Sequence, residues 1–116
     1  MYLLEAIAEA DKLRPNAIGE EIKAEWLEQV EATVADIQQI QPPPPSHPND
    51  KELLMPPPMD RLYVFWLAAM IDWAQLDLDL YAVDKAMYEE ALTEAKAWWR
   101  RNNVPIVRAD GSRWRP

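Results

Sequence analysis

The chain has 116 residues, which is enough for one domain with one modest core. It contains six tryptophans but only two glycines, and 49% of its residues are hydrophobic. This composition favours packed helices over β-turns and phosphate-binding loops. No cysteine is present, which excludes a disulfide framework and a thiolate metal site and fits a reducing compartment. We therefore predict a single all-α domain.

The net charge of −8 is unevenly distributed along the chain. Residues 100–116 contain five arginines and a single aspartate, a net charge of +4, which leaves −12 for residues 1–99. An acidic body repels phosphate backbones, so nucleic acid is disfavoured as a partner of most of the surface. A chain polarised in this way suits head-to-tail contacts between identical subunits.

Two helices are predicted before residue 41. The apolar positions of residues 1–13 recur at helical spacing, and Pro15 and Asn16 then interrupt the helix, because proline disfavours the α conformation before it and asparagine suits turns. Acidic residues interrupt this first apolar stretch, which therefore lacks the pattern of a targeting signal. In residues 18–40 the apolar positions recur every three or four residues with glutamates between them, which is the clearest helical pattern in the chain.

A proline-rich segment follows. Residues 41–58 contain eight prolines, so the segment is expected to lie extended, largely as polyproline II. We interpret it as a semi-rigid strap within one domain; a ligand for proline-binding modules is the alternative. The segment includes His47, the only histidine, which has no partner that would suggest a catalytic or metal site.

The third predicted helix begins after Asp60, its predicted N-cap, and covers residues 62–75. Apolar residues occupy every side of it, so we expect it at the centre of the core, with Phe65 and Trp66 buried. Its longest apolar run has ten residues, well short of the roughly 20 needed to span a bilayer.

The fourth predicted helix covers residues 80–102 and carries two adjoining apolar stripes. One stripe consists of Leu80, Val83, Met87, Ala91, Ala95 and Trp98, and the other of Tyr81, Tyr88, Leu92 and Trp99. Either both stripes pack into one wide core, or part of the second contacts a neighbouring subunit.

The fold predicted from these elements is a small four-helix bundle, residues 1–105, followed by a basic tail, residues 106–116. The tail is expected to be extended or to form a hairpin with a turn at Asp110-Gly111. An isolated hairpin is marginal in water, so the tail is either frayed or ordered against a partner. Its sequence Arg113-Trp114-Arg115 also suits phosphate binding and base stacking, but a protein-docking tail or a disordered end fits such a short motif better.

No arrangement of residues points to catalysis. The chain has no Gly-rich phosphate loop, no Glu-x-x-His pair and no cysteine. Asp72, Asp77 and Asp79 form the one acidic cluster, but leucines interleave it and it lacks the central glycine of a calcium loop. We interpret these carboxylates as solvated helix ends and predict a non-enzymatic protein with no cofactor and no metal.

Two sets of residues resemble a family of small phage and prophage proteins encoded among head genes. The first set is Asp11-Lys-Leu-Arg-Pro-Asn16 followed by Lys23 and Trp26-Leu27. The second is Leu53-Leu54, Pro56, Asp60, Leu62-Tyr63, Leu67, Ala69-Met70-Ile71-Asp72, Tyr81, Ala86-Met87, Arg101 and Pro105. The chain departs from the family pattern at Gln75-Leu76, where Asn-Gly is common, and at Ala82-Val83, where the family has paired asparagines.

The resemblance covers about residues 1–105 and is to the head-tail connectors of tailed bacteriophages. It implies a virion protein, assembled in the host cytoplasm, that forms a ring, expected to be twelve-fold, under the portal protein and contacts tail-side connector proteins. Membrane is not an expected partner, and nucleic acid is expected at most as DNA passing through the channel. The alternative is a small helical adaptor unrelated to virion assembly. The predicted subunit or portal contacts are Arg100, Arg101, Arg108, Arg113, Trp114, Arg115, Tyr81, Tyr88 and Trp99.

Overall fold

The computed structural model describes residues 1–103 and, in the tail, the pairs 106–107 and 113–114. The helices are α1 (Leu3–Leu13), α2 (Glu20–Gln38), α3 (Leu62–Ala74) and α4 (Leu78–Asn103). In the tail, the two-residue strands β1 (Ile106–Val107) and β2 (Arg113–Trp114) pair in antiparallel register, Ile106 opposite Trp114. The prediction of an all-α domain is confirmed, and the turn predicted at Asp110-Gly111 lies outside the described residues.

Helix α3 forms the centre of the core, as its apolar sequence predicts. It packs against each of the other three helices, and Leu62, Tyr63, Leu67 and Ile71 are fully buried. A helix that is apolar on every side is stable in water only when neighbours cover every side. The short helix α1 and the longer helices α2 and α4 provide much of that cover.

Two aromatic residues of α3 are less buried than the sequence predicts. Phe65 and Trp66 are only partly buried and pack against the edge of the core. The Trp66 ring lies 4.9 Å from that of Tyr88, and its Nε1–H donates to the carbonyl oxygen of Trp26 at 3.0 Å. The indole N–H of Trp66 is directed toward α2, because a buried N–H group needs a hydrogen-bond acceptor.

The helix starts differ from those predicted. Asp60 is not the N-cap of α3, since the chain turns through Asp60 and Arg61 and the cap position is Arg61. Helix α4 begins two residues earlier than predicted because Asp77 caps it: its carboxylate accepts the N–H of Leu80 at 3.2 Å, and its carbonyl accepts the N–H of Tyr81 at 2.9 Å.

The proline-rich segment has two different halves. Most of residues 41–50 is exposed, whereas Leu53 and Met55 are buried in the core. Backbone hydrogen bonds join this second half to the start of the chain, from the N–H of Leu3 to the carbonyl of Lys51 and from the N–H of Leu53 to the carbonyl of Met1, each 2.9 Å. Leu53 and Met55 are therefore part of the hydrophobic core, which the interpretation of the whole segment as a spacer did not predict, while Glu52 just before them is exposed.

A buried polar cluster fixes this inner half of the strap. The Glu31 carboxylate, fully buried on α2, accepts hydrogen bonds from the Tyr63 hydroxyl at 2.5 Å and the N–H of Leu54 at 3.0 Å. The N–H of Met55 donates to the same hydroxyl at 2.8 Å. Burial raises the pKa of Glu31, although these hydrogen bonds oppose the rise. Helices α2 and α3 are thus held in register with the strap between them.

Candidate functional site

Helix α4 has one covered face and one open face. Tyr88 and Ala95 are buried against the rest of the domain, with Leu92 partly buried beside them. The amino-terminal half of the other stripe is open: Leu80 is 38% exposed, Val83 58% and Met87 42%. Of the two stripes, the first is therefore the one that leaves apolar surface exposed, and the tyrosine stripe faces α3.

We call Leu80, Val83, Met87, Glu90 and Glu94 the outer stripe. These residues follow one another at intervals of three and four, so they form a single line along one face of α4. All five are exposed. The line is apolar toward the start of the helix and acidic toward its middle.

Further exposed apolar residues surround the turn between α3 and α4. Trp73, Leu76 and Leu78, which we call the tip, are all exposed, Leu76 to 81%. Leu76 has a φ of 59°, in the left-handed region where glycine and asparagine are preferred. Burial therefore gives little compensation for the unfavourable backbone conformation of this leucine.

A groove runs beside the outer stripe. It has a volume of about 230 Å³ and lies between the segment 58–65 and α4. Its apolar lining consists of Pro58, Met59, Phe65, Met87 and Ala91, and its charged lining of Arg61, Glu90 and Glu94. The two glutamates stand on the α4 wall. On the opposite wall the Arg61 guanidinium lies 5.8 Å from the centre of the Phe65 ring, within cation–π range.

A buried charge cluster supports the base of α4. Arg14, at the end of α1, forms two ion pairs. Its Nε lies 3.1 Å from Oδ1 of Asp72 on α3, and its Nη2 lies 2.9 Å from Oδ2 of Asp84 on α4. Burial, together with the neighbouring Asp84 carboxyl, raises the pKa of Asp72 to about 7 against the opposing effect of Arg14. The interpretation of Asp72 as a solvated helix end is therefore wrong, because it is fully buried and joins three helices.

The first motif of the family resemblance builds the turn that presents Arg14. Asn16 donates to the Asp11 carboxylate at 2.9 Å and accepts the N–H of Ile18 at 3.0 Å. Lys23 donates to the same Asp11 oxygen at 2.7 Å. These side chains hydrogen-bond to one another, so the motif positions α1 against α2.

The sequence-predicted contact residues fall into separate places. Arg100 and Arg101 are exposed near the end of α4. Tyr88 is 7% exposed, so it contributes to packing and offers little surface to a partner. Tyr81 is half-buried with its ring 5.5 Å from that of Trp73, and Trp99 is half-buried beside Trp98.

The remaining predicted contacts lie in the tail. Arg113 and Trp114 belong to the paired backbone segment, while Arg108 and Arg115 lie outside the described residues. Sequence reasoning missed Trp73, Leu76 and Leu78 as surface residues. The one available signal was their position, since apolar residues on both sides of a short helix connection lie at the end of a bundle, where fewer neighbours cover them.

The described residues contain no group of three or more histidine or carboxylate side chains arranged to hold a metal ion. None of the described helices is both long enough and apolar enough to cross a membrane. No protein-family model, curated protein or solved structure matched the chain. The described residues thus form a helical scaffold whose fourth helix carries an exposed line of apolar and acidic residues.

Proposed function

We propose that this chain is a non-enzymatic assembly protein of the phage head-tail connector class, which binds the portal protein and neighbouring subunits in a ring within the virion. Its binding surface is the tip together with the outer stripe. The observation that carries this proposal is the exposed apolar surface formed by Trp73, Leu76, Leu78, Leu80 and Val83. Single exposed apolar residues are ordinary, but here five large ones fall within residues 73–83 around one helix connection, and such a concentration favours an interaction surface.

The scaffold beneath this surface supports the same proposal. Arg14, Asp72 and Asp84 join α1, α3 and α4 directly below the tip, and Gln75 donates to the carbonyl of Pro15 at 3.2 Å. A surface held by buried charges and hydrogen bonds loses little conformational entropy on binding. The resemblance to connectors supplies the partner class, and the exposed surface supplies the means of contact.

The test is to purify tailed particles from a host that produces the chain and to detect the chain in them by mass spectrometry. A Leu78→Asp and Val83→Asp double variant should disappear from particles, because a carboxylate cannot enter an apolar interface without a large desolvation cost. Gln29→Asp with Ala32→Asp, both exposed on α2, adds the same two carboxylates away from this surface and is the matched control, which should be incorporated normally.

The gene neighbourhood provides a second test of the proposal. We expect a portal or capsid gene beside the gene for this chain. Particles that assemble and infect equally well without the chain would contradict the proposal. Recovery of the chain only with a soluble host protein would instead establish the adaptor alternative.

A further inference from the structure

The groove between the segment 58–65 and α4 has a chemistry that limits what can occupy it. Its floor is apolar, and the α4 wall ends in two exposed carboxylates, Glu90 and Glu94. Among the described residues, neither carboxylate forms an ion pair. One bulky apolar group with positive charge on the α4 side suits this lining best, because two carboxylates face the groove against the single guanidinium of Arg61 on the opposite wall.

The chain itself contains a segment with this chemistry. Residues 100–116 carry a net charge of +4 while residues 1–99 carry −12, and within the tail Trp114 stands between two arginines. Tryptophan and arginine are the residues most enriched at binding hot spots. The tail is thus complementary to the groove in charge, and Trp114 matches its apolar floor in residue type.

We infer that the groove receives the C-terminal tail of a second copy of this chain. In this contact Trp114 occupies the apolar floor formed by Met59 and Phe65. Arg113 and Arg115 meet the acidic wall. The inference rests on the proposed assembly function and names the surface through which adjacent subunits bind.

The paired backbone of the tail explains why a second copy fits better than the same chain. Trp114 pairs with Ile106, only three residues beyond the end of α4, so its Cα stays within about 16 Å of Asn103. Along α4 the groove runs from Glu94, nine residues before Asn103, to Met87, sixteen residues before it, which corresponds to about 14 and about 24 Å along a helix. The backbone of a tail that keeps its pairing therefore reaches the near end of its own groove but not the far end beside Met87, whereas the tail of a neighbour is not limited in this way.

A contact of this kind is heterologous, because the tail of one subunit meets the groove of the next. Such contacts generate rings when the rotation closes and open chains when it does not. A two-fold rotation closes the contact at a dimer in which both tails are exchanged, and other rotations that close give larger rings. The species expected in solution are therefore a dimer, a larger closed ring or a series of increasing mass.

The experiment is sedimentation velocity on the full chain over a wide range of concentrations, at about 50 mM and about 500 mM salt. The wild type should associate, and more weakly at high salt, because exposed ion pairs are screened. Glu90→Lys with Glu94→Lys should raise the concentration at half-association at least tenfold. Arg113→Glu with Arg115→Glu should do the same, and the chain carrying all four changes should recover association.

The control for net charge is Glu25→Lys with Asp36→Lys, exposed on α2, which changes the charge by the same amount outside the groove. It should associate at least as well as the wild type. Circular dichroism should show unchanged helix content for every variant. Trp114→Ala tests the apolar part of the contact and should weaken association in the same way.

Each remaining outcome is decisive. A wild type that stays monomeric at all concentrations, or association unaffected by both charge reversals, overturns the inference. Equal weakening by the α2 control also overturns it, since the effect would then be one of net charge. If the chain enters tailed particles while the groove variants enter equally well, the inference fails and the proposed function stands. Groove-dependent association in a chain that never enters particles supports the inference and contradicts the proposed function.

Discussion

Helices α3 and α4 are joined by a three-residue turn and both carry many large apolar residues, yet they use them differently. In α3, Leu62, Leu67 and Ile71 are completely buried, whereas in α4 Val83 and Met87 remain about half exposed. Helix α3 has 13 residues and α4 has 26, or about 20 and about 39 Å at 1.5 Å per residue. Because α4 packs mainly on the shorter α3, nothing in the described residues covers its outer face. Apolar content alone therefore does not distinguish a core from a binding surface.

The largest effect should come from truncating the buried helix. Leu67→Ala should lower the free energy of unfolding by about 3 to 4 kcal/mol, because it removes a fully buried side chain and leaves a cavity. The matched change Leu78→Ala, at an exposed position after the turn, should cost under about 0.5 kcal/mol. Urea unfolding followed by circular dichroism measures both. Equal losses would contradict the division between the two helices.

The charge cluster at the joint between the helices should be the next most sensitive point. Arg14→Gln leaves Asp72 and Asp84 buried without their cation, and it should cost about 3 kcal/mol. The loss should be larger at pH 8 than at pH 5, since protonation relieves the repulsion. Lys12→Gln, an exposed change of the same charge on α1, is the control and should have little effect. An unchanged unfolding midpoint for Arg14→Gln would show that the cluster does not hold α4 on α3.

The raised pKa of Asp72 predicts a dependence of stability on pH. In the folded chain this pKa is about 7, against 3.8 for the ordinary carboxyl, so between these values the folded state holds a proton that the unfolded state has released. This contribution is complete below about pH 4 and is lost as the pH rises through 7. The free energy of unfolding should fall by about 1 to 3 kcal/mol across that window, which lies below the limit of about 4 kcal/mol that about 1.4 kcal/mol per pKa unit sets for the full difference.

Asp72→Asn sharpens the same test. The amide cannot ionise, so the free energy of unfolding of this variant should not fall as the pH rises from 4 to 7. At pH 8 the variant should be at least as stable as the wild type. Unfolding free energies measured at half-unit pH steps decide the point. If the decline persists in Asp72→Asn, a different group is responsible for it.

The smallest effect concerns the tip. Leu76→Gly should raise the free energy of unfolding by about 0.5 kcal/mol. Glycine adopts the left-handed conformation at φ 59° without the steric cost that leucine has, but part of this gain is lost because glycine makes the unfolded chain more flexible. If the tip binds a partner, the same variant should bind more weakly although it is more stable. A variant that is destabilised, or one that binds at full strength, would remove Leu76 from the proposed surface.

The sequence by itself determined the class of the fold. Helical spacing in residues 18–40, the interruption at Pro15 and the apolar run after residue 61 are local signals, because a helix forms from contacts three and four residues apart. These signals predicted the first and last residues of the four helices, in most cases to within two residues. They also identified α3 as the core, since a helix with no polar face must be covered on every side.

Only the tertiary structure decided which groups are buried and which are free. Nothing near Asp72 in the sequence indicates that Arg14, 58 residues away, will meet it, and nothing in the strap indicates that Met55 will hydrogen-bond to Tyr63. The two stripes of α4 look equivalent along the chain, and the tyrosine stripe became the inner one because it meets Trp66 and Trp73 of α3. Burial depends on which elements lie opposite one another, and that is a property of long-range packing that no local pattern contains.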